Sequence, residues 1–160
     1  MPHSRRDWLK AAAGGAAALF LGNGFLARDL FAATPARMTL YKSPTCGCCT
    51  KWVEHVRKAG FTVDAKDLDD ARMQEVKASL GVPAELQSCH TGLVGGYAIE
   101  GHVPADVIAK ALREKPAGTL LTVPGMPMGS PGMEMGARRD RFDVVLYDRT
   151  TRRSRVYASR

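Results

Sequence analysis

The chain has 160 residues, which bounds it to one ordinary domain with additions. Its net charge of +7 divides into +2 for residues 1–36, where Arg5, Arg6, Lys10 and Arg28 face Asp7 and Asp29, and +5 beyond them, much of it in Arg138-Arg139, Arg149 and Arg152-Arg153-Ser154-Arg155. A basic stretch reads as nucleic-acid binding only in a compartment that holds nucleic acid. The N-terminal segment removes that class, and the basic tail reads as a solvated surface attracted to anionic lipid or envelope partners.

Ser4-Arg5-Arg6-Asp7-Trp8-Leu9-Lys10 is followed by an apolar, alanine-rich run from Ala11 to Leu21 and a small-residue stretch near Ala32 to Ala36. That order of charged, apolar and cleavage regions marks an export signal. The arginine pair resembles a twin-arginine signal, with Trp8 where Phe is more usual. No clean A-x-A fits, so cleavage is placed between Ala33 and Ala36 and residues 1–36 are set apart from the fold. The apolar run is short and broken by glycines, which argues against a stable span; contact with the membrane is confined to this segment if it stays uncleaved. The expected destination is the periplasm, where disulfides persist.

From residue 37 the pattern alternates strand and helix. Met38 to Tyr41 reads as a buried strand. Cys46 to Ala59 reads as a helix with Cys49, Val53 and Val56 on one face, stopped by Gly60. Phe61 to Ala65 is a second strand, and Asp69 to Leu80 a second helix that Asp69 or Asp70 caps and Gly81 ends. Leu93 to Ile99 reads as a hairpin turning on Gly95-Gly96, and Pro104 to Glu114 as a third helix with proline in its first turn. The order β-α-β-α-β-β-α predicts an α/β fold of the thioredoxin/glutaredoxin layout, a mixed sheet flanked by helices. After Pro116 comes Leu120-Leu121-Thr122-Val123, then a Gly/Pro-rich loop over 124–136 with four of the seven methionines, and a C-terminal hairpin over 142–158. Residues 37–160 are taken as one domain.

Cys46, Cys48 and Cys49 place three of the four cysteines at the start of the first helix. The helix dipole and free N–H groups there favour thiolate, which is both a nucleophile and a soft-metal ligand. Cys46 and Cys49 have the spacing of a redox pair, with Cys46 attacking and Cys49 resolving. Cys48 is the departure: a third thiol gives a dithiol oxidoreductase nothing it needs, yet it suits a soft metal. The fourth cysteine, Cys89, precedes His90 just before the hairpin, where thioredoxin-like folds bring a cis-proline loop against the cysteine motif. The nearest proline is Pro83, so Cys89-His90 is expected to fill that space. His102, before the third helix, reads equally as a ligand or as a residue shaping that helix start. His55, among Glu54, Arg57 and Lys58, reads as facing solvent. His3 lies in the export segment.

Met126, Met128, Met133 and Met135 stand along a loop, where methionine as core filler has no place. Thioethers select copper(I), zinc makes little use of them, and calcium and magnesium want oxygen. An iron–sulfur cluster on the four cysteines would leave the methionines idle. Copper is the metal that gives each unusual segment a role.

Tyr41-Lys42-Ser43-Pro44-Thr45-Cys46-Gly47-Cys48-Cys49, Ser88-Cys89-His90-Thr91, Glu100-Gly101-His102-Val103-Pro104, and Pro124-Gly125-Met126-Pro127 with Gly129-Ser130-Pro131-Gly132-Met133-Glu134 together resemble the CopG-like copper-resistance proteins, exported and thioredoxin-like. The resemblance runs from about Met38 to Met135. It implies periplasmic copper handling with Cys46, Cys48, Cys49 and Cys89 as the foremost site positions, followed by His90, His102, Met126 and Met133. Met128 and Met135 fall where the pattern fixes no methionine. The expectation is a copper(I)-binding protein of copper resistance. The alternatives are a copper or thiol–disulfide oxidoreductase using Cys46 and Cys49, and a module delivering copper to an efflux or oxidase partner.

Overall fold

The computed structural model describes residues 36–160; the export segment read over 1–36 lies outside the described residues except for Ala36. Seven strands and three helices follow in the order β1 (Arg37–Lys42), α1 (Gly47–Lys58), β2 (Thr62–Asp67), α2 (Asp70–Ser79), β3 (Thr91–Val94), β4 (Tyr97–Glu100), α3 (Ala105–Glu114), β5 (Leu120–Thr122), β6 (Asp143–Asp148) and β7 (Arg153–Ser159). The fold is α/β, and the β-α-β-α-β-β-α order expected from the sequence is present. A 3-10 turn, Ala84–Leu86, stands between α2 and β3 in addition to that order.

All seven strands form one mixed sheet in the order β2-β1-β3-β4-β5-β6-β7. β1 runs parallel to β2, and β4 parallel to β5; the other pairs are antiparallel. The two parallel pairs are crossed by α1 and α3, as parallel strands require a crossover. β5 is the main addition to the sequence reading: Leu120-Leu121-Thr122 bridges β4 to the C-terminal hairpin, so hairpin and core share one sheet.

Alternation along β4 and β5 explains their complete burial, because period-two side chains face opposite sides. Ile99 and Leu121 join Met38, Leu40, Trp52, Val53, Val56, Ile108 and Leu146 in the main core. Ala98 and Leu120 point the other way, into a smaller cluster with Val82, Leu86, Leu93 and Tyr147.

Local chemistry sets the boundaries. Asp69 caps α2 by accepting the Arg72 N–H at 2.9 Å. Gly95 and Gly96, with φ of +55° and +87°, give the β3–β4 hairpin the left-handed pair that a two-residue turn needs. Pro104 stands at the N-cap of α3, one position before its first turn, and offers no side-chain acceptor there. At the far end of the sheet, Arg149 donates to the Leu80 carbonyl and to Thr119 Oγ1, each at 2.8 Å, which ties the C-terminal hairpin to the end of α2.

Candidate metal centre

The cysteine motif sits where β1 ends and α1 begins. Cys46 is the N-cap residue, and its sulfur accepts the Cys49 N–H at 3.3 Å, doing at a helix start what a serine oxygen usually does. Cys46 and Cys49 are joined as a disulfide, with Cys49 on the buried face of α1. Cys48 and Cys89 are free thiols. Cys48 Sγ stands 3.4 Å from Cys46 Sγ and 4.0 Å from Cys89 Sγ. All four sulfurs lie within 4.8 Å of one another.

A second group shares Cys89: its sulfur with the ring nitrogens of His90 and His102 also fits within 4.8 Å. Cys89 Sγ is 3.3 Å from His90 Nδ1 and 3.0 Å from His102 Nε2. His102 Nδ1–H donates to the Pro131 carbonyl at 2.8 Å, which leaves Nε2 with its lone pair towards Cys89. A metal-binding histidine is usually oriented by such a bond on its other nitrogen. His90 is fully buried, with its ring 4.5 Å from that of Trp52 and 5.1 Å from that of His102, and its Nε2 has no hydrogen-bond partner among the described residues.

Electrostatics keep these donors neutral. Burial holds the His90 imidazole well below its ordinary 6.5, with His102 and the Lys77 ammonium adding to the effect. Burial likewise lowers His102, against the pull of the Pro131 carbonyl and Glu134. Cys89 is pushed up to about 12, first by burial and then by neighbouring Cys48. The result is a neutral thiol donating to His102 Nε2. Neutral imidazoles are ready to ligate, while the thiol must surrender a proton to do so. Sulfur and imidazole donors with no carboxylate among them suit a soft or borderline metal such as copper(I) and fit a magnesium or calcium site poorly.

The methionine loop folds back over this group. Pro131 and Gly132 are buried, and Gly132 (φ +87°) lies so close to α1 that a Cβ on it would stand 2.7 Å from the Cys48 carbonyl and 2.9 Å from Trp52 N. Glycine is required there for both reasons. Met133 follows it, half-buried like Met128, whereas Met126 and Met135 are 53% and 56% exposed. The cysteines and histidines are thus gathered in one place, and the four methionines are spread from the covering segment to open surface.

Two expectations need correction or completion. His55 does not face solvent freely: it is half-buried, and its Nε2 accepts the Ala105 N–H at 3.1 Å, supplying the acceptor that Pro104 lacks at the start of α3. The charged residues around it in sequence lie on the outer helix face, but position 55 borders the buried one. The described residues contain no cis peptide bond; Pro83 is trans and precedes the 3-10 turn, and Cys89-His90 faces the cysteine motif instead. Trp52, Pro131 and Gly132 escaped the sequence reading as parts of the site. Trp52 stands three residues beyond Cys49, a spacing that puts the two on neighbouring positions of the helix surface, and that was the available signal.

The family described as "Protein of unknown function, DUF411" matches residues 86–133, which run from before Cys89-His90 to Met133. No curated protein matches the chain. Two solved structures do. One is described as copper resistance protein CopG, form 2: 43% identical, TM-score 0.72, covering 79% of this chain and 98% of that one. The other is described as form 1 of the same protein: 44% identical, TM-score 0.73, with the same coverage.

Proposed function

The chain belongs to the CopG family of copper resistance proteins, and from that premise we propose that it is a periplasmic protein of copper resistance that holds copper(I) on Cys46, Cys48, Cys49 and Cys89. The observation that carries this reading is the gathering of all four cysteine sulfurs within 4.8 Å, with His90 and His102 meeting at Cys89. Cys89 belongs to both groups, so its thiolate is the natural bridge between an all-sulfur lobe and a sulfur–imidazole lobe. Met133, beside the buried Gly132, completes or covers the site from the loop, with the exposed Met126 as the outer thioether of the same loop. Residues 1–36 carry the chain out by the twin-arginine route.

The Cys46–Cys49 disulfide bears on how the site is filled. Two electrons and two protons turn it into two thiols, after which four sulfurs are free to bind. The bridge also favours a second reading, in which the pair works as a redox couple: two copper(II) ions each take one electron, the dithiol becomes the disulfide, and two protons leave. Delivery of bound copper to an efflux or oxidase partner is compatible with either.

The test is anaerobic titration of the reduced full-length protein with copper(I) against a chromophoric chelator, with thiols counted on the same sample. The parent is expected to bind copper(I) stoichiometrically, and C46S/C48S/C49S to lose that binding. A triple variant that binds as the parent does ends the copper(I) reading. Metal-free disulfide reduction that persists in C48S/C89S would move the assignment to thiol–disulfide exchange.

A further inference from the structure

Glu100 ends β4 fully buried, and Lys77 of α2 is 2% exposed. Glu100 Oε1 accepts from the Lys77 ammonium and from the Ser88 backbone N–H, the latter at 2.6 Å; Oε2 accepts the Thr91 hydroxyl at 2.6 Å. Lys77 Nζ also donates to Thr91 Oγ1 at 3.0 Å, closing the network. Ser88 and Thr91 are the residues on either side of Cys89-His90. One carboxylate therefore grips both ends of the two-residue arm that brings a sulfur and an imidazole to the site. The strand that carries it continues into Gly101, whose N–H donates to the His90 carbonyl at 2.9 Å, and then into His102, the remaining nitrogen donor.

A buried ion pair is a poor device for stability alone, since apolar side chains of similar volume often serve as well. Apolar side chains cannot hold a backbone N–H and a hydroxyl at fixed points. Outer partners of this kind orient the groups that touch a metal, and their loss typically weakens binding about 10- to 100-fold. We propose that the Lys77–Glu100 pair, acting through Ser88 and Thr91, is a positioning device that sets the spacing of Cys89 and His90 against His102. The inference rests on the reading of these residues as a copper site.

The decisive variants are T91V, which removes one grip and leaves the ion pair, T91S, which restores a hydroxyl, and K77M/E100L, which replaces the pair by apolar groups. Each is made in the full chain, checked for folding by near-ultraviolet circular dichroism, and titrated anaerobically with copper(I) against the chelator. T91V and K77M/E100L are expected to bind about 10- to 100-fold more weakly than the parent, and T91S to recover most of that loss. A merely structural role would weaken binding equally whether or not Cys89 and His90 are present. The positioning role requires that the loss shrink sharply when T91V is placed in a background lacking both donors, C89S/H90Q, as in a double-mutant cycle. Folded T91V with parent affinity, or an undiminished loss without Cys89 and His90, overturns the inference alone. A parent that binds no copper(I) overturns the functional reading and this inference together. If K77M/E100L does not fold, T91V and T91S decide.

Discussion

Cys89 carries opposing demands at the scale of one residue. It stands between the sulfur group and the two imidazoles, yet burial and Cys48 hold it protonated with a pKa of about 12. Reactivity towards alkylating reagents follows the thiolate fraction, so the metal-free protein should protect this thiol chemically as well as sterically. With iodoacetamide at about pH 8, Cys89 is expected to react at least ~100-fold more slowly in the folded protein than in urea. Peptide mapping by mass spectrometry measures the two rates; equal rates would show that the thiol is not held in its neutral form. Metal binding reverses the balance, because a bound cation stabilises the thiolate that burial disfavours.

Elements interlock through groups that a one-dimensional pattern does not display. His55 lies in α1 but works for α3, where its Nε2 takes the Ala105 N–H that Pro104 cannot cap. Loss of an N-cap acceptor costs about 0.5–2 kcal/mol, so H55L is expected to lower stability to urea by ~1 kcal/mol. An unchanged unfolding midpoint would show that water replaces the imidazole without loss. The sequence misleads at this position because Glu54, Arg57 and Lys58 are its neighbours in the chain, and a helix turns by 100° between one residue and the next. Lys77 and Glu100 are opaque for a similar reason. A lysine in a polar helix reads as solvated, and its partner is 23 residues away across a tertiary contact. Cys46, Cys48, Cys49, Cys89, His90 and His102 stand out because cysteine and histidine are scarce and their spacing carries chemistry. The hairpin at Gly95-Gly96 is legible from its turn residues. β5 is not, since two leucines and a threonine are too short a run to show an alternation that separates them from a loop's edge.

On the scale of the whole molecule, two buried imidazoles, His90 and His102, make folding sensitive to acid. Both are held below the ordinary 6.5 chiefly by burial. As pH falls through that value the unfolded chain takes up protons that the folded protein refuses. Their contribution is therefore complete above 6.5 and declines as pH falls below it towards the folded values. Glu100, which burial raises from 4.5 despite Lys77, works in the opposite sense nearer that value. The metal-free protein is expected to keep a steady melting temperature between about pH 8 and pH 7 and to lose stability from 6.5 downwards, by up to ~1.4 kcal/mol per pH unit for the fully buried His90. Thermal unfolding across that range measures it, and a melting temperature indifferent to pH would mean that the folded protein protonates these rings freely.

Gly132 rests on the first turn of α1, and the preceding Pro131 receives His102. The segment that closes the site thus belongs to the stretch between β5 and β6, more than eighty residues beyond Cys46 in the chain. Contacts of such long sequence separation carry the cost of closing the loops between them. The donors come together only when the start of α1 meets Cys89-His90 ahead of β3 and His102 beyond β4, and the final loop closes over them. Any ion that needs the whole set binds the native state and not its partly folded precursors, and it draws the population towards the native state by mass action. Copper capacity would then serve as a count of finished molecules, and copper itself as the ligand that holds them finished.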